Sequence, residues 1–152
     1  MATYKKFEEL SIWQLSRELC KEIYKITNYD SFSKDLRFVS QIRAAGGSIM
    51  DNIAEGFDRR GNKEFVYFLY VSNGSCGEVR SQLHRAFDCH YISEDEYKTL
   101  VKKSEDLSNA ILHFVDYLKK SDLSGSKYKN VRDSEPKCER SEQNKKCRRQ
   151  PA

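Results

Sequence analysis

The first 135 residues of this chain contain no proline, since its two prolines, Pro136 and Pro151, lie near the C-terminus. Proline breaks helix interiors, so its absence permits long helices. Four segments of this region carry apolar side chains at intervals of three and four residues, a spacing that places them on one helical face. Helices of this kind joined by short loops pack lengthwise. The sequence therefore predicts an all-α protein folded as an antiparallel up-down-up-down four-helix bundle.

The four predicted helices begin at residues 9, 33, 63 and 93. The first ends at residue 27, the second at either 56 or 61, the third at 89 and the fourth at 120. Ser33 is a good N-cap for the second helix, in which Leu36 and Ile42 are expected to face the core. Residues 28–33 before it are expected to form a polar loop. Ser93 and Glu96 have the spacing of a capping box at the start of the fourth helix. The predicted bundle thus occupies residues 1–120.

Residues 121–152 differ in composition from the rest of the chain. They hold nine Lys or Arg and five Asp or Glu, so they account for the whole net charge of +4. They are also rich in serine and poor in apolar residues, so they cannot bury enough surface to offset the entropy of ordering. We expect this segment to be a disordered basic tail.

Composition and motifs limit the class of protein. The mean hydropathy is −0.79, and the chain lacks a stretch of apolar residues long enough to cross a membrane. Its N-terminus lacks the charged-then-apolar order of a signal peptide, so a cytoplasmic location is expected. The five cysteines include no Cys-x-x-Cys pair, and we expect them to be free thiols.

Side chains that could support catalysis or metal binding are few. The three histidines lack the spacing that metal-binding helical bundles use, and no serine has a recognisable base beside it. We therefore expect no enzyme activity, no metal or cofactor, and no small-molecule substrate. Five polar residues of the second and third helices are instead expected to form a structural network: Arg43, Asn52, Glu55, Glu78 and Gln82.

Residues 65–71 are seven consecutive apolar or aromatic residues, which cover every face of the third predicted helix. One face enters the bundle, and three other helices cannot bury the rest. A helix that is apolar all round is either buried on all sides or presents a patch to a partner. Val66, Tyr67, Tyr70 and Val71 are therefore predicted to form an oligomer interface. The alternative is scattered surface tyrosines with solvated hydroxyls.

Two runs of small residues, 44–48 and 72–77, lie at similar distances from the turn near Gly61. In an antiparallel hairpin they would lie side by side. Glycine inside a helix costs about 1 kcal/mol relative to alanine, so its use here calls for a reason. Close packing of two helices within one bundle is one explanation. A helix kink or a contact between subunits is the other.

Basic residues are concentrated in two places. Arg59, Arg60 and Lys63 surround the turn between the second and third helices, and the tail adds Lys145, Lys146, Arg148 and Arg149. Cations bind nucleic-acid phosphates without sequence preference. These seven residues are the predicted contacts to RNA or DNA. Against this, residues 1–120 carry no net charge, and basic residues in turns and tails are often simply solvated.

Four motifs carry a resemblance to a known family: Phe7-x-x-Leu10-x-x-Trp13-Gln14, Gln41-Ile42-Arg43-x-Ala45-x-x-Ser48-Ile49-x-x-Asn52-Ile53-Ala54-Glu55-Gly56, Glu64-Phe65-x-x-Phe68-Leu69, and Gly74-Ser75-x-x-Glu78-Val79-x-x-Gln82-Leu83. Over about residues 5–120 the chain resembles the bacterial four-helix-bundle family that includes proteins encoded within intervening sequences of 23S ribosomal RNA genes. That family is related to the accessory variability determinant of diversity-generating retroelements.

The resemblance implies a pentameric ring of bundles without enzyme activity. For the retroelement protein, the implied role is to bind a reverse transcriptase and its RNA through a basic surface. This chain departs from it in its balanced bundle charge and in Gly46-Gly47. The expected function is a homo-oligomeric accessory protein associated with RNA or a reverse transcriptase. The alternative is a protein–protein interaction scaffold with no nucleic-acid role.

Overall fold

The computed structural model describes the backbone of residues 4–132 and the side chains of residues 4–121. Throughout this range the regular elements are helices, and no strand occurs in it. A short 3-10 helix, Phe7–Glu9, precedes α1 (Ser11–Ile26), α2 (Asp30–Ser33), α3 (Leu36–Asp58), α4 (Asn62–Asp88) and α5 (Glu94–Arg132). The four long helices, α1, α3, α4 and α5, form the bundle.

Contacts between the long helices establish the topology. Ser48 Oγ lies 3.0 Å from Ser75 Oγ, while Arg85 donates to Gln41 Oε1 at 3.2 Å, so α3 and α4 run antiparallel. Equivalent contacts pair α4 with α5, and α1 packs against both α3 and α5. The helices therefore alternate in direction around the bundle, which confirms the predicted antiparallel fold.

On α1 the core residues are the apolar side chains that the helical spacing indicated. On α1, Ile12, Leu19 and Ile23 are buried, and Ser16 is a buried small position between them. The Ser16 hydroxyl donates to the Trp13 carbonyl at 2.6 Å, so this polar group is satisfied inside the core. On α4, Leu69 rather than Phe68 is the residue that is fully buried.

The start of α3 differs from the prediction. Asp35, not Ser33, is the N-cap, and its Oδ1 accepts from the Phe38 backbone N–H at 3.1 Å. Residues 30–33 form the extra turn α2 instead of a polar loop, and they bury Phe32. The Phe32 ring stacks on Tyr91 with centroids 4.8 Å apart. This aromatic packing fixes the later helix start.

As a consequence, Leu36 lies in the first turn of α3, beyond the core, and is 76% exposed. The prediction that it faces the core was wrong. Phe38 takes that place, with only 5% of its surface exposed. The core stripe therefore passes through Phe38 and Ile42, a spacing of four residues that keeps both on one helical face.

At the start of α5 the predicted capping box is confirmed. The Glu96 N–H donates to Ser93 Oγ at 3.2 Å, and the Ser93 N–H donates to Glu96 Oε2 at 3.0 Å. At the other end, the backbone of α5 continues beyond the predicted boundary at residue 120 to Arg132. No proline interrupts this stretch, so nothing local ends the helix. Residues 133–152 of the predicted tail lie outside the described residues.

The small-residue runs lie side by side, as predicted, since Ser72 Oγ donates to the Ile49 carbonyl at 2.9 Å. Packing within the bundle explains only part of their glycine content. A Cβ added to Gly46 would lie 2.7 Å from Ile23 Cδ1 on α1, so glycine lets α1 and α3 approach. A Cβ added to Gly47, Gly74 or Gly77 would meet nothing within 4 Å.

Candidate nucleic-acid interface at the turn between α3 and α4

The turn between α3 and α4 presents the predicted basic cluster at one end of the bundle. Arg60 adopts a left-handed backbone conformation with φ of 57°, and Gly61 is extended. The left-handed region disfavours a residue with a Cβ by about 1 kcal/mol. The Arg60 N–H donates to the Phe57 carbonyl at 3.2 Å, which holds the turn closed. The turn thus places an arginine at a position where glycine would adopt the same backbone conformation at lower energy.

The three predicted cations of this turn have different surroundings. The Arg59 guanidinium donates to Glu55 Oε1 at 2.7 Å and lies 5.0 Å from the centroid of the Phe68 ring. The hydrogen bond with Glu55 raises the pKa of Arg59. Arg60 and Lys63 are exposed, and neither takes part in an ion pair within residues 4–121. These two are therefore better placed than Arg59 to meet an external anion.

A cavity of about 570 Å³ lies beside this turn, at the open end of the hydrophobic core. The N-terminal segment, the turn and the last described part of α5 all contribute to its walls. Its charged lining residues are Lys5, Asp58 and Arg60. Sequence reasoning missed this cavity, because its walls come from three segments that are distant along the chain.

Aromatic side chains form much of the cavity's lining. The Phe65 ring packs edge-on against Phe114 with centroids 5.7 Å apart, and Tyr117 stacks on Phe114 at 5.9 Å. Tyr4 also contacts Phe114, at 6.3 Å. Phe65 is buried, whereas Tyr4 and Tyr117 remain 39% and 45% exposed. The cavity thus has an aromatic floor and two accessible aromatic rings at its mouth.

The predicted oligomer interface lies on the outer surface of α4. Tyr67, Tyr70 and Val71 are 63%, 46% and 38% exposed, and Val66 is partly buried. The Tyr70 hydroxyl accepts from Lys119 Nζ at 2.7 Å, an interaction that raises the pKa of Lys119. These side chains therefore form an apolar and aromatic surface that the described part of the chain leaves uncovered. Their role in assembly remains a prediction.

The predicted polar network does not form as one unit. Arg43 donates to Thr27 Oγ1 at 2.8 Å and to Asn28, while Asn52 donates to Ser48 within its own helix. Glu55 pairs with Arg59, as described above, and Glu78 is exposed. Arg43, Asn52 and Glu55 therefore each bond to a residue outside the predicted set.

Gln82, the fifth member, has an unusual environment. It is only 8% exposed, and its Oε1 is buried without a hydrogen-bond partner among the described residues. It lines a groove of about 610 Å³ between α3 and α4, whose floor includes Ala44 and Ala45. A buried polar atom of this kind costs roughly 1–3 kcal/mol unless something else satisfies it.

The described residues contain no cluster of His, Cys, Asp and Glu that could hold a metal ion. Burial raises the pKa of the Cys76 thiol to about 12, so this cysteine is not a thiolate at neutral pH. Cys20, Cys76 and Cys89 are free thiols, and the remaining cysteines, Cys138 and Cys147, lie outside the described residues.

In residues 4–132, no helix is long and apolar enough to span a membrane. Lys145, Lys146, Arg148 and Arg149 also lie beyond the described part.

No curated protein matches this chain. Among solved structures, it is similar to a crystal structure from Bacteroides thetaiotaomicron, described as a protein with unknown function from the S23 ribosomal protein family. The two share 20% sequence identity with a TM-score of 0.63, over 68% of this chain and 97% of that one. At this identity the likeness concerns the fold alone. The sequence also matches the 23S rRNA-intervening sequence protein family over residues 8–113, more than half of its length, and the chain therefore belongs to that family.

Proposed function

We propose that this protein is a non-enzymatic, homo-oligomeric helical bundle that associates with RNA through the turn between α3 and α4. The observation that carries this proposal is the pair of exposed cations Arg60 and Lys63, which have no ion-pair partner within residues 4–121, beside an aromatic-lined cavity. Such cations bind the phosphate groups of RNA. Binding releases the counterions that are condensed on the RNA, and this favours association most strongly at low salt. Membership of a family named for ribosomal RNA intervening sequences supports RNA as the nucleic acid.

The folded bundle supplies few contacts, so binding should be weak and strongly dependent on salt. Arg59 is neutralised by Glu55, and Asp58 adds a negative charge to the same turn. In this proposal the basic tail, with Lys145, Lys146, Arg148 and Arg149, adds further sequence-independent contacts. The turn therefore positions the RNA, and the tail raises the affinity.

The test is a filter-binding series with single-stranded RNA over a range of salt concentrations. For single strands, each lost phosphate contact makes the negative slope of log K against log salt shallower by about 0.7. Changing Arg60 and Lys63 together to alanine should make it shallower by about 1.4. The matched control changes Lys25 and Arg37 to alanine; both are exposed cations at the opposite end of the bundle without an ion-pair partner among the described residues. Absence of RNA binding by the unmodified protein at low salt would refute the proposal.

Self-association is proposed to use the exposed α4 surface of Val66, Tyr67, Tyr70 and Val71, with a pentamer as the expected assembly. Changing Tyr67 and Tyr70 to lysine places charges on this surface and should shift the mass from light scattering toward the monomer. Tyr24 on α1 is a control of similar exposure, at 47%. If Tyr24→Lys has the same effect as the double variant, the contact lies elsewhere.

A protein-interaction scaffold without a nucleic-acid role is the second candidate function. The specific observation in its favour is Tyr67, which is 63% exposed on an otherwise ordered helix. Large exposed apolar surfaces often mark protein contacts. A pull-down with and without nuclease separates the two candidates. Partners retained after nuclease treatment would favour the scaffold, and partners lost would favour RNA association.

Two further parts of the proposal rest on the family resemblance. A reverse transcriptase is proposed as a protein partner, because the resemblance implies a retroelement accessory role in which one is bound together with its RNA. A cytoplasmic location is proposed because RNA and such an enzyme would be met there. Co-purification with a reverse transcriptase encoded beside the gene would test the first part directly.

A further inference from the structure

We infer that the cavity beside the turn between α3 and α4 receives an unpaired RNA base, so that this site selects single-stranded over duplex RNA. The inference rests on the proposed RNA association and names the kind of RNA that the same site takes. It is argued from the aromatic lining, the placement of charge and the accessibility of Tyr117. None of these follows from the basic residues alone.

The size and lining of the cavity suit a flat aromatic ligand. Its volume of about 570 Å³ falls within the usual range of roughly 300–1,000 Å³ for small-ligand sites. Phe65 and Phe114 form its floor, and Tyr117 lies at its mouth with nearly half of its surface exposed. Aromatic rings stack on any base, since every base has a π face. A base entering here would continue the stack of Tyr117 and Phe114.

The charges around the cavity favour a base inside and phosphates outside. Lys5 and Arg60 line the cavity and can meet the phosphates on either side of the inserted base, and Lys63 follows in the first turn of α4. Asp58 also lines it. Its carboxylate repels a phosphate that would enter the cavity, but it can accept a hydrogen bond from a base amino group. This mixture suits a nucleotide better than a free anion.

Duplex RNA cannot satisfy the same site. In an A-form helix the base faces are stacked within the duplex, and proteins contact mainly phosphates and 2′-hydroxyls. A duplex could still meet Arg60 and Lys63, but it would leave the aromatic rings of the cavity unused. A change in the ratio of single-stranded to duplex affinity when the cavity is altered therefore reports on the cavity, whereas the salt slope reports on the cations.

The experiment measures binding of the full-length protein to a short RNA carrying 2-aminopurine, as a single strand and as a duplex with its complement. The single strand should bind about tenfold more tightly, with quenching of the 2-aminopurine fluorescence by stacking. Tyr117→Leu keeps an apolar contact with Phe114 but removes the aromatic face. It should lose about tenfold in single-strand affinity and lose the quenching, with an unchanged salt slope.

Tyr117→Phe restores the ring and should restore both signals. Tyr24→Leu changes a tyrosine of similar exposure on α1 and should alter neither. Equal affinity for single strand and duplex, or Tyr117→Leu binding like the unmodified protein, would overturn the inference while leaving RNA association intact. Failure of both RNAs to bind at low salt would instead overturn the proposed function, and the inference with it.

Discussion

Glycines that no packing contact requires offer a quantitative test of the bundle. Gly47, Gly74 and Gly77 lie inside α3 and α4, and an added Cβ would meet nothing within 4 Å at any of them. Alanine at an open position inside a helix is favoured over glycine by about 1 kcal/mol. The triple alanine variant should therefore raise the free energy of unfolding by roughly 2–3 kcal/mol.

Gly56 is the matched control, because it also lies inside α3 but in close contact. An added Cβ would lie 2.7 Å from Phe68 Cβ and 2.9 Å from Phe65 Cδ2. Phe68 Cβ is fixed to the α4 backbone and cannot turn aside, so the helices would have to separate. Overpacking of this kind typically costs about 1–3 kcal/mol. Gly56→Ala should therefore destabilise the protein while the triple variant stabilises it.

Urea unfolding followed by circular dichroism measures both effects, at two protein concentrations. For a chain of this length, each 1 kcal/mol corresponds to about 2–4 °C in Tm, which a thermal scan would corroborate. A triple variant no more stable than the unmodified protein at either concentration would refute the reasoning. A stability gain at low concentration that disappears at high concentration would mean that a second copy occupies the space beside these glycines.

Three further changes test other parts of the structure. Gln82→Met replaces a buried amide whose Oε1 has no partner among the described residues, and should stabilise the fold by roughly 1 kcal/mol in urea unfolding; a loss would reveal a partner for the amide. Ser93→Ala removes the N-cap of α5 and should cost about 1 kcal/mol, whereas the exposed Ser40→Ala serves as a control. A hydrogen bond from the Tyr29 hydroxyl, and a smaller contribution from the Ser93 backbone N–H, hold the pKa of Glu96 below 4.5. Glu96→Gln should therefore reduce the stability of the fold at neutral pH. That deficit should shrink as the pH falls below 4.5 through the folded-state pKa, and a deficit independent of pH would contradict this role.

The sequence by itself determined the local structure of this protein. The all-α class and the capping box of α5 follow from residues three or four positions apart, and such neighbours meet whenever a helix forms. The antiparallel bundle follows from the short loops that join such helices. Ser16 as a buried small position followed from the same spacing. The family was also accessible from the sequence, because the motifs around Gln41 and Asn52 are themselves short local patterns.

Tertiary structure decided what depends on distant residues. Asp35 rather than Ser33 caps α3 because Phe32 packs against Tyr91, which comes from the distant connection between α4 and α5 and also donates to Asp35 Oδ2. Gln82 Oε1 has no partner among the described residues, because Arg43 donates instead to Thr27 and Asn28. The cavity is formed by Tyr4, Phe65 and Tyr117 together, and no local pattern relates these positions. Local periodicity specifies each helix face, but the space enclosed where helices end depends on packing between segments far apart in the chain.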